Sequence, residues 1–593
     1  MKNYLLITLG HNSSAIFVDN SSKEQKIIGY EQERLSRLKA DSQFPIDAIN
    51  EIEYNVGYEK MKGCTVLISH WFSNKWMSNP HIDAFGNCKY MNENACKKID
   101  SYKPVQVKFV NSNFTHHDAH AYSALAFYKY HNGNEQIRVV NGPRYILVVD
   151  GFGNDEEVLS LYVAHKKDEK PRLLHRVYGY QYSLGLFYQY ATAFVGMKEN
   201  QDEYKFLGYE AHIGDILNVE QLAQIDHHIN KTVDYFIHSW AKTTEPNAQN
   251  EEMIDMSKLR EARKYWYLQF TNVCDAIHID DYHSFNARCA IAYYIQQTCE
   301  QALIRFIESY GVENLIVAGG TFYNVKLNNA LLNKTKGIFC AMPLAGDQGA
   351  AIGMYEAEDK EHAPQFKFDT LAWGKRRLYN FEKYSNGNGD DIHYYEVSND
   401  DITSFKLLAD CIAARVSDGA LVNVVFGNME FGPRALGNTS TIFLPTVDNV
   451  ANNNNMNRRN EVMPCAPICT EDNAHILFDH EELDRVIGSD RFMICTHNYH
   501  KPYSKQYGGV MHSKTLDTEF TGRPQIVRDG SFMYRVLKQV ERTTDTVCLV
   551  NTSFNVHGNP IVFDTKDIID NFNFQKEHAN DEHKPELFVI EIV

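Results

Sequence analysis

The stretch His116-His-Asp-Ala-His120 gathers more metal-ligating side chains than any other short run in the N-terminal half. On a helix, His116 and His120 are four residues apart and share one face, so two imidazole nitrogens can meet one cation while His117 points elsewhere. Such a pair needs an acidic partner from far along the chain. Asp347, in Leu344-Ala-Gly-Asp-Gln-Gly-Ala-Ala-Ile-Gly353, presents one carboxylate among small residues that let backbones come close. A bare two-histidine spacing more often only caps or lines a helix, so its neighbourhood decides.

A second group of residues suits anions. Arg434 lies within Gly427-Asn-Met-Glu-Phe-Gly-Pro-Arg-Ala-Leu-Gly-Asn438, where flanking glycines let a loop wrap a small anion and the guanidinium grip it bidentately. Arg458, Arg459, Arg523 and Arg528 add positive charge nearby in sequence, with surface ion pairs the expected use of Arg458 and Arg528. Gly319-Gly320 follows a strand and precedes a helix start, which lets backbone N–H groups approach phosphate or ribose, although an ordinary tight turn reads the same way. Asn551-Thr-Ser-Phe-Asn555 puts hydroxyls and amides after another strand.

The elements that must position these residues follow a repeated plan. Tyr4–Leu9 reads as a buried strand, Gly10–Ser14 as a polar turn carrying His11, and Ala15–Val18 as the return strand. Tyr145–Val149, the turn Asp150–Asp155, and Leu159–Ala164 repeat it. Two such units predict a duplicated α/β core whose turns face each other across a cleft. Residues 215–310 read as mainly helical. Residues 363–391 read as a loose connection, and Asn452–Asn455 as an exposed turn. By composition alone, Glu31–Lys39 reads as a solvated charged segment.

Bulk properties bound the answer. With 593 residues the chain predicts two or three domains. Its 44% hydrophobic and 12% aromatic content are those of a globular protein, and a net charge of −17 argues against an extended nucleic-acid surface. Twelve scattered cysteines form no framework, with Cys465 and Cys469 the closest pair, so reduced thiols in a cytoplasmic protein are expected. The apolar N-terminal run is too short for a signal peptide, and no stretch is long enough to span a bilayer.

Taken in order, these motifs resemble the NodU/CmcH family of O-carbamoyltransferases over nearly the whole chain. The most specific are Met429-Glu-Phe-Gly-Pro-Arg-Ala-Leu-Gly-Asn438 and Asn551-Thr-Ser-Phe-Asn-Val556. His11-Asn-Ser-Ser-Ala15, Glu33-Arg-Leu-Ser-Arg-Leu-Lys39, His116–His120, Asp150-Gly-Phe-Gly153, Glu203-Tyr-Lys205, Gly319-Gly320 with Asn324, and Gly346-Asp347 support them. The resemblance implies an α/β protein. Residues 1–370 would form a duplicated actin/sugar-kinase (ASKHA)-like transfer domain, 371–395 a linker, and 396–593 a YrdC-like α/β domain that makes carbamoyl adenylate.

It further implies ATP with Mg, carbamoyl phosphate and a hydroxyl-bearing acceptor: a sugar, a natural product or a hydroxymethyl-pyrimidine nucleotide. Iron(II), or another divalent metal such as zinc, would sit on His116, His120 and Asp347, with Asp150 completing the shell. His11 would be the general base and Lys39 would stabilise the carbonyl oxygen or leaving phosphate. Gly151, Gly153, Lys205, Gly319, Gly320, Asn324, Arg434, Asn438, Arg459, Arg523, Asn551, Ser553 and Asn555 would hold nucleotide or donor. The oligomeric state stays open, a homodimer being one arrangement. The chain departs from the family at Thr439-Ser440, where Arg-Ser is usual, and at Arg459-Asn460…Met463-Pro-Cys-Ala-Pro467, where Arg-Glu…Arg-Pro-Phe-Ala-Pro is usual. Two arginines and a glutamate are thus absent, which alters the carbamoyl phosphate site unless other arginines compensate. A tRNA threonylcarbamoyl-type transferase and a nucleotide-binding regulatory module without turnover are the competing readings.

Overall fold

The computed structural model describes residues 2–593 except 71–92, 135–141, 166–169, 246–254, 360, 362, 386–390, 460–464, 501–506, 514–519 and 581–583. The aromatics Trp71, Trp76 and Tyr90, considered as acceptor contacts, lie outside the described residues, as do Asn460 and Met463.

The first sheet contains β1 (Tyr4–Thr8), β2 (Ser14–Asp19), β3 (Lys26–Glu31), β4 (Thr65–Ser69) and β5 (Gln106–Phe109), in the order β3-β2-β1-β4-β5. The second contains β6 (Arg144–Val149), β7 (Glu157–Ala164), β8 (Arg172–Tyr178), β9 (Asn314–Ala318) and β10 (Phe339–Ala341), in the order β10-β9-β6-β7-β8. In each sheet the first three strands form an antiparallel meander, and the fourth and fifth add in parallel beside the first. The two sheets therefore repeat one topology, as the two strand–turn–strand patterns predict. Their central strands are almost wholly buried, which accounts for near-continuous apolar runs such as Tyr4-Leu-Leu-Ile-Thr8.

Two helices occupy equivalent places. Helix His116–Asn134 follows β5, and the short turn Asp347–Gly349 leading into helix Ala350–Glu356 follows β10. Both helices join residues of both sheets in one core, with Leu6, Ile16, Val148 and Ile316 packed around Ala119, Phe127, Ala351 and Ile352. The middle of the His116 helix is buried on several sides, Ala121 and Ala124 to Tyr128 all lying in this core. The two helices touch so closely that a Cβ on Gly353 would lie 1.7 Å from the Ala119 carbonyl oxygen. Helices Val219–Trp240, Met256–Ala276 and Phe285–Ser309 form a further apolar layer around Trp240 and Trp266, within the stretch expected to be helical.

The third sheet draws on residues from 392 onward: β11 (Ile392–Val397), β12 (Leu421–Phe426), β13 (Thr439–Phe443), β14 (Ala466–Thr470), β18 (Gln525–Val527), β19 (Leu549–Ser553) and β20 (Pro585–Ile592). Its order is β11-β20-β12-β13-β19-β14-β18, with mixed pairing. A small antiparallel sheet of β15 (His497–Asn498), β16 (His512–Ser513) and β17 (Phe520–Gly522) lies alongside. The whole is a mixed α/β fold.

Three sequence expectations are corrected here. Residues 363–381 are a packed strap: Phe366, Phe368, Trp373 and Phe381 are buried, and the Trp373 carbonyl accepts from Gly29 on β3. Asn452–Asn455 is part of helix Val447–Met456, with Asn452 and Asn453 buried. Glu31, Gln32, Glu33 and Arg34 are buried, with Arg34 bridging Glu31 and Glu33 at 3.0 Å each. No described helix is long and apolar enough to cross a membrane, and every described cysteine is a free thiol.

Candidate metal centre and the facing arginine loop

The first turn of the His116 helix is fixed by a buried polar frame. Thr115 N–H donates to Asp118 (2.8 Å), His116 N–H to Asn154 (2.7 Å), and His117 N–H to Glu157 (2.9 Å). Arg176, on β8, sits behind this turn and reaches Asp118 (2.7 Å), Glu157 (3.2 Å) and the Ser160 hydroxyl (2.9 Å). His117 turns away to Ser160, 2.9 Å from its Nδ1. His116 and His120 are left side by side on the other face, Nε2 to Nε2 at 3.1 Å.

Two carboxylates meet them. Asp347 Oδ1 lies 3.2 Å from His116 Nε2 and 3.8 Å from His120 Nε2. Asp150 Oδ2 lies 3.4 Å from each. The other oxygen of Asp150 accepts from the backbone N–H groups of Gly151 (2.8 Å) and Gly320 (3.2 Å), which aims Oδ2 at the histidines. One ligand atom from each of the four residues lies within 4.8 Å of every other. Burial alone would depress the His116 imidazole, but Asp347 and Asp150 outweigh it and push it up to about 10. Burial would likewise raise both aspartates, yet the two histidines hold them below the usual carboxylate range. The pocket is thus built around positive charge. Two imidazole nitrogens and two carboxylate oxygens fit a first-row divalent cation, with the Asp150 amide contacts as the outer support such sites use. His116 Nδ1, by contrast, is buried without a hydrogen bond.

His11 lies at the β1–β2 turn with one side open to solvent and protein crowded around the rest of its ring, within electrostatic reach of Asp347, Glu33, Asp150 and Lys39. Exclusion of water by surrounding protein lowers its imidazole pKa, and the carboxylates only partly offset this. Lys39 is about half exposed and 3.6 Å from Glu33.

The Gly427–Asn438 loop lies against the same region. Its Met429 and Phe431 insert into the cores of the first two sheets. Glu430, between them, points into the loop and accepts from the N–H groups of Leu436 (2.8 Å), Asn438 (2.9 Å) and Thr439 (2.9 Å). Gly432 has φ +105° and abuts Leu344, so the loop touches the segment that carries Asp347. Its carbonyl accepts from buried Arg34 at 2.7 Å, while Arg37 reaches the carbonyls of Pro560 and Ile561 and the Asp567 carboxylate. The Glu33-Arg-Leu-Ser-Arg37 segment therefore ties the first sheet to the third-sheet unit.

Arg434 is half-buried, with Nε making no hydrogen bond. Burial lowers its pKa, and Tyr323 and Tyr204 are within electrostatic reach of it. Tyr323 is also within electrostatic reach of Asp347.

Other expected contacts are spent within the protein. Asn324 caps helix Val325–Lys334 and bonds Gln296. The Asn438 amide closes its own loop on Phe426 and Asn428. Lys205 lies 2.8 Å from His557 and 2.8 Å from Asp202. Gly153 N–H pairs with the Glu157 carbonyl, and Gly319 N–H with that of Ala345. Arg459 bonds the Thr552 hydroxyl. Asn551 donates to Gln525 and Ala435, and Asn555 to Val556 and Asn559, each leaving its Oδ1 buried without a partner. Ser553 ends β19 opposite Ser440, and Arg523 lies between β17 and β18. Arg458 is not an ion pair: it stacks on Phe574 at 4.7 Å and meets His578.

Sequence reasoning missed Arg376, buried with its guanidinium on the Gly427 and Asn438 carbonyls and the Thr439 hydroxyl. It looked like one member of a basic run. It also missed Glu430, whose only signal was a carboxylate between two apolar residues in a glycine-rich loop.

A family model described as the carbamoyltransferase N-terminus matches residues 5–355, and one described as the carbamoyltransferase C-terminus matches 413–579. An uncharacterized protein of Methanocaldococcus jannaschii is 24% identical over 581 residues, covering 95% of each chain. Nodulation protein NolNO of Sinorhizobium fredii is 25% identical over 598 residues, covering 95% of this chain and 77% of its own. Nodulation protein U of Bradyrhizobium diazoefficiens is 28% identical over 263 residues, covering 43% and 41%. Among solved structures, a ROK family glucokinase of Streptomyces griseus aligns over 59% of this chain and 97% of its own, with 10% identity and a TM-score of 0.25. With both family models matched in order, the chain belongs to the carbamoyltransferase family.

Proposed function

We propose that the chain is an ATP-dependent O-carbamoyltransferase with two half-reactions. In the first, carbamoyl phosphate, water and ATP give carbamoyl adenylate, phosphate and pyrophosphate. In the second, the hydroxyl of a sugar, natural product or hydroxymethyl-pyrimidine nucleotide attacks the carbamoyl carbon and AMP leaves. In this reading, residues 1–370 are an actin/sugar-kinase-type transfer domain, 371–395 a connection, and 396–593 a YrdC-like activation domain. The repeated topology of the first two sheets supports the first assignment.

The observation that carries the reading is the cluster of His116, His120, Asp150 and Asp347, which suits a divalent cation, with the arginine loop packed on the Leu344 segment beside it. The cluster would serve the transfer step and Arg434 the activation step, each stabilising charge on phosphate. His11, neutral because its pKa is lowered, takes the acceptor's proton as the C–O bond forms. Lys39, on a flexible stem beside Glu33, swings onto the carbamoyl oxygen or the phosphate. Arg434 holds phosphate oxygens. A divalent cation on His116, His120, Asp150 and Asp347, iron or zinc by donor type, would offset charge on the adenylate phosphate. The Asp150 carboxylate is kept aimed for this by Gly151 and Gly320.

The test is pyrophosphate release from ATP, with and without carbamoyl phosphate, in Mg²⁺ and Fe²⁺ and without acceptor. Release only when carbamoyl phosphate is present supports the activation step. No release, or release indifferent to carbamoyl phosphate, refutes it.

A further inference from the structure

Beside Asp347 lies a group of polar atoms that the fold leaves without partners. Gln348 is 1% exposed, and its Oε1 makes no hydrogen bond. Tyr323 Oη is also buried; its one polar neighbour is the Gly346 backbone, too poorly aligned for a full hydrogen bond, so its own O–H is left to donate. Both converge on Gly346: a Cβ there would lie 2.7 Å from Gln348 Oε1 and 3.5 Å from Tyr323 Oη. Arg434, whose Nε is also buried without a hydrogen bond, lies within electrostatic reach of Tyr323. A buried polar group left unpaired costs about 1–3 kcal/mol, so several at one spot call for a ligand that pairs them.

Their chemistry is complementary to one group. Gln348 Oε1 only accepts, whereas the Tyr323 hydroxyl can donate. A carbamoyl group offers N–H donors on one side of its carbon and a carbonyl acceptor on the other. An acetyl group has no N–H, and bicarbonate has none either. We propose that Gln348 and Tyr323 form the subsite that recognises the transferred group as an amide, Gln348 Oε1 accepting its N–H and Tyr323 O–H donating to its carbonyl oxygen. The proposal rests on the carbamoyl-transfer reading and adds the determinants of acyl specificity. Sites that hydrogen-bond a substrate N–H reject analogues lacking it far better than apolar pockets reject a missing methylene.

The test compares two hydrolysis-resistant adenylate analogues on the full chain by titration calorimetry. 5′-O-(N-carbamoylsulfamoyl)adenosine carries an NH₂ on its terminal carbonyl where 5′-O-(N-acetylsulfamoyl)adenosine carries a CH₃, both with a sulfamate in place of the phosphate. The unmodified protein should bind the carbamoyl compound about 10- to 100-fold more tightly than the acetyl compound, the equivalent of one buried hydrogen bond. Gln348→Leu should bring that ratio close to one, Gln348→Glu, which still accepts, should retain it, and Tyr323→Phe should weaken both compounds alike. Equal binding of the two analogues by unmodified protein overturns the proposal without any variant, as does a ratio that survives in folded Gln348→Leu. Binding of neither analogue also overturns it. In that case pyrophosphate release separates the causes: if release persists, only this subsite is wrong, and if release is lost too, the carbamoyl-transfer reading has failed with it.

Discussion

Replacing Arg176 by methionine should weaken the candidate metal centre without changing any of its four residues. Arg176 is 8% exposed and is the cation against Glu157, 0% exposed, and Asp118. Its removal leaves buried carboxylates without a counter-charge, a change that costs about 3–5 kcal/mol in comparable buried pairs. The cost falls on the turn that presents His116 and His120, because Glu157 and Asp118 fasten its N–H groups. Local opening there should become several-hundredfold more frequent, at about 1.4 kcal/mol per tenfold. Hydrogen exchange across residues 116–122 reads this without requiring the whole chain to unfold in one step. Cation affinity should fall about 10- to 100-fold, the usual effect of losing an outer-shell support. The pH dependence gives a further check. Burial already raises the Glu157 carboxyl above its ordinary 4.5, and Arg176 restrains that rise. Without the guanidinium it rises further. The Glu157 part of the deficit is therefore absent in acid, where the carboxyl is protonated with or without Arg176. It appears as pH climbs through the unmodified protein's own raised value. Exchange rates and cation affinity unchanged from the parent at pH 8.5, or a deficit of equal size at pH 4.5, would refute the reasoning.

His120→Ala should abolish cation uptake and carbamoyl transfer while leaving pyrophosphate release intact; loss of both half-reactions would undercut the separation of roles. Arg434→Ala should slow carbamoyl-phosphate-dependent pyrophosphate release at least about tenfold, one charge-assisted hydrogen bond being worth about 1.5–3 kcal/mol, and near-normal release would mean the activation site lies elsewhere. Because His11 is held below its usual 6.5, the transfer rate should stay level through neutral pH and fall only in acid, and an acid limb centred above 6.5 contradicts its role as base. Gly353→Ala should push the His116 helix away from its partner, since the added carbon meets the Ala119 carbonyl; a loss of at least about 1–3 kcal/mol in thermal melts, as in overpacked cores, should come with weaker cation binding.

Much of the metal-type cluster was legible because its geometry is local. His116 and His120 share a helix face by spacing alone, and Asp347 stood out as a lone carboxylate among glycines. Asp150 was placed by family likeness, since nothing in its turn distinguished a ligand from a turn aspartate. The strands of the first two sheets were readable from apolar runs, within a residue or two at their ends. What the sequence hid was tertiary. Glu31–Arg34 is a charged segment by composition, and its burial depends on Gly432, some four hundred residues away. Asn452 and Asn453 look like turn formers, yet they are buried in a helix. Arg376 could not be told from its basic neighbours until the carbonyls around it were in view.

The repeated topology has a consequence for biosynthesis. His116 and His120 start the helix after β5, whereas Asp347 starts the one after β10, the equivalent place in the other copy. Asp150 occupies the hairpin turn that matches the one holding His11. Neither copy owns the site. A ribosome releases the histidines first and Asp347 roughly 230 residues later, a delay of about 10–50 s at ~5–20 residues per second. Asp150 follows early in that interval, so for most of it the nascent chain would hold three of the four candidate ligands. A cation at this cluster would meet its full set of four residues only after both copies have emerged and docked.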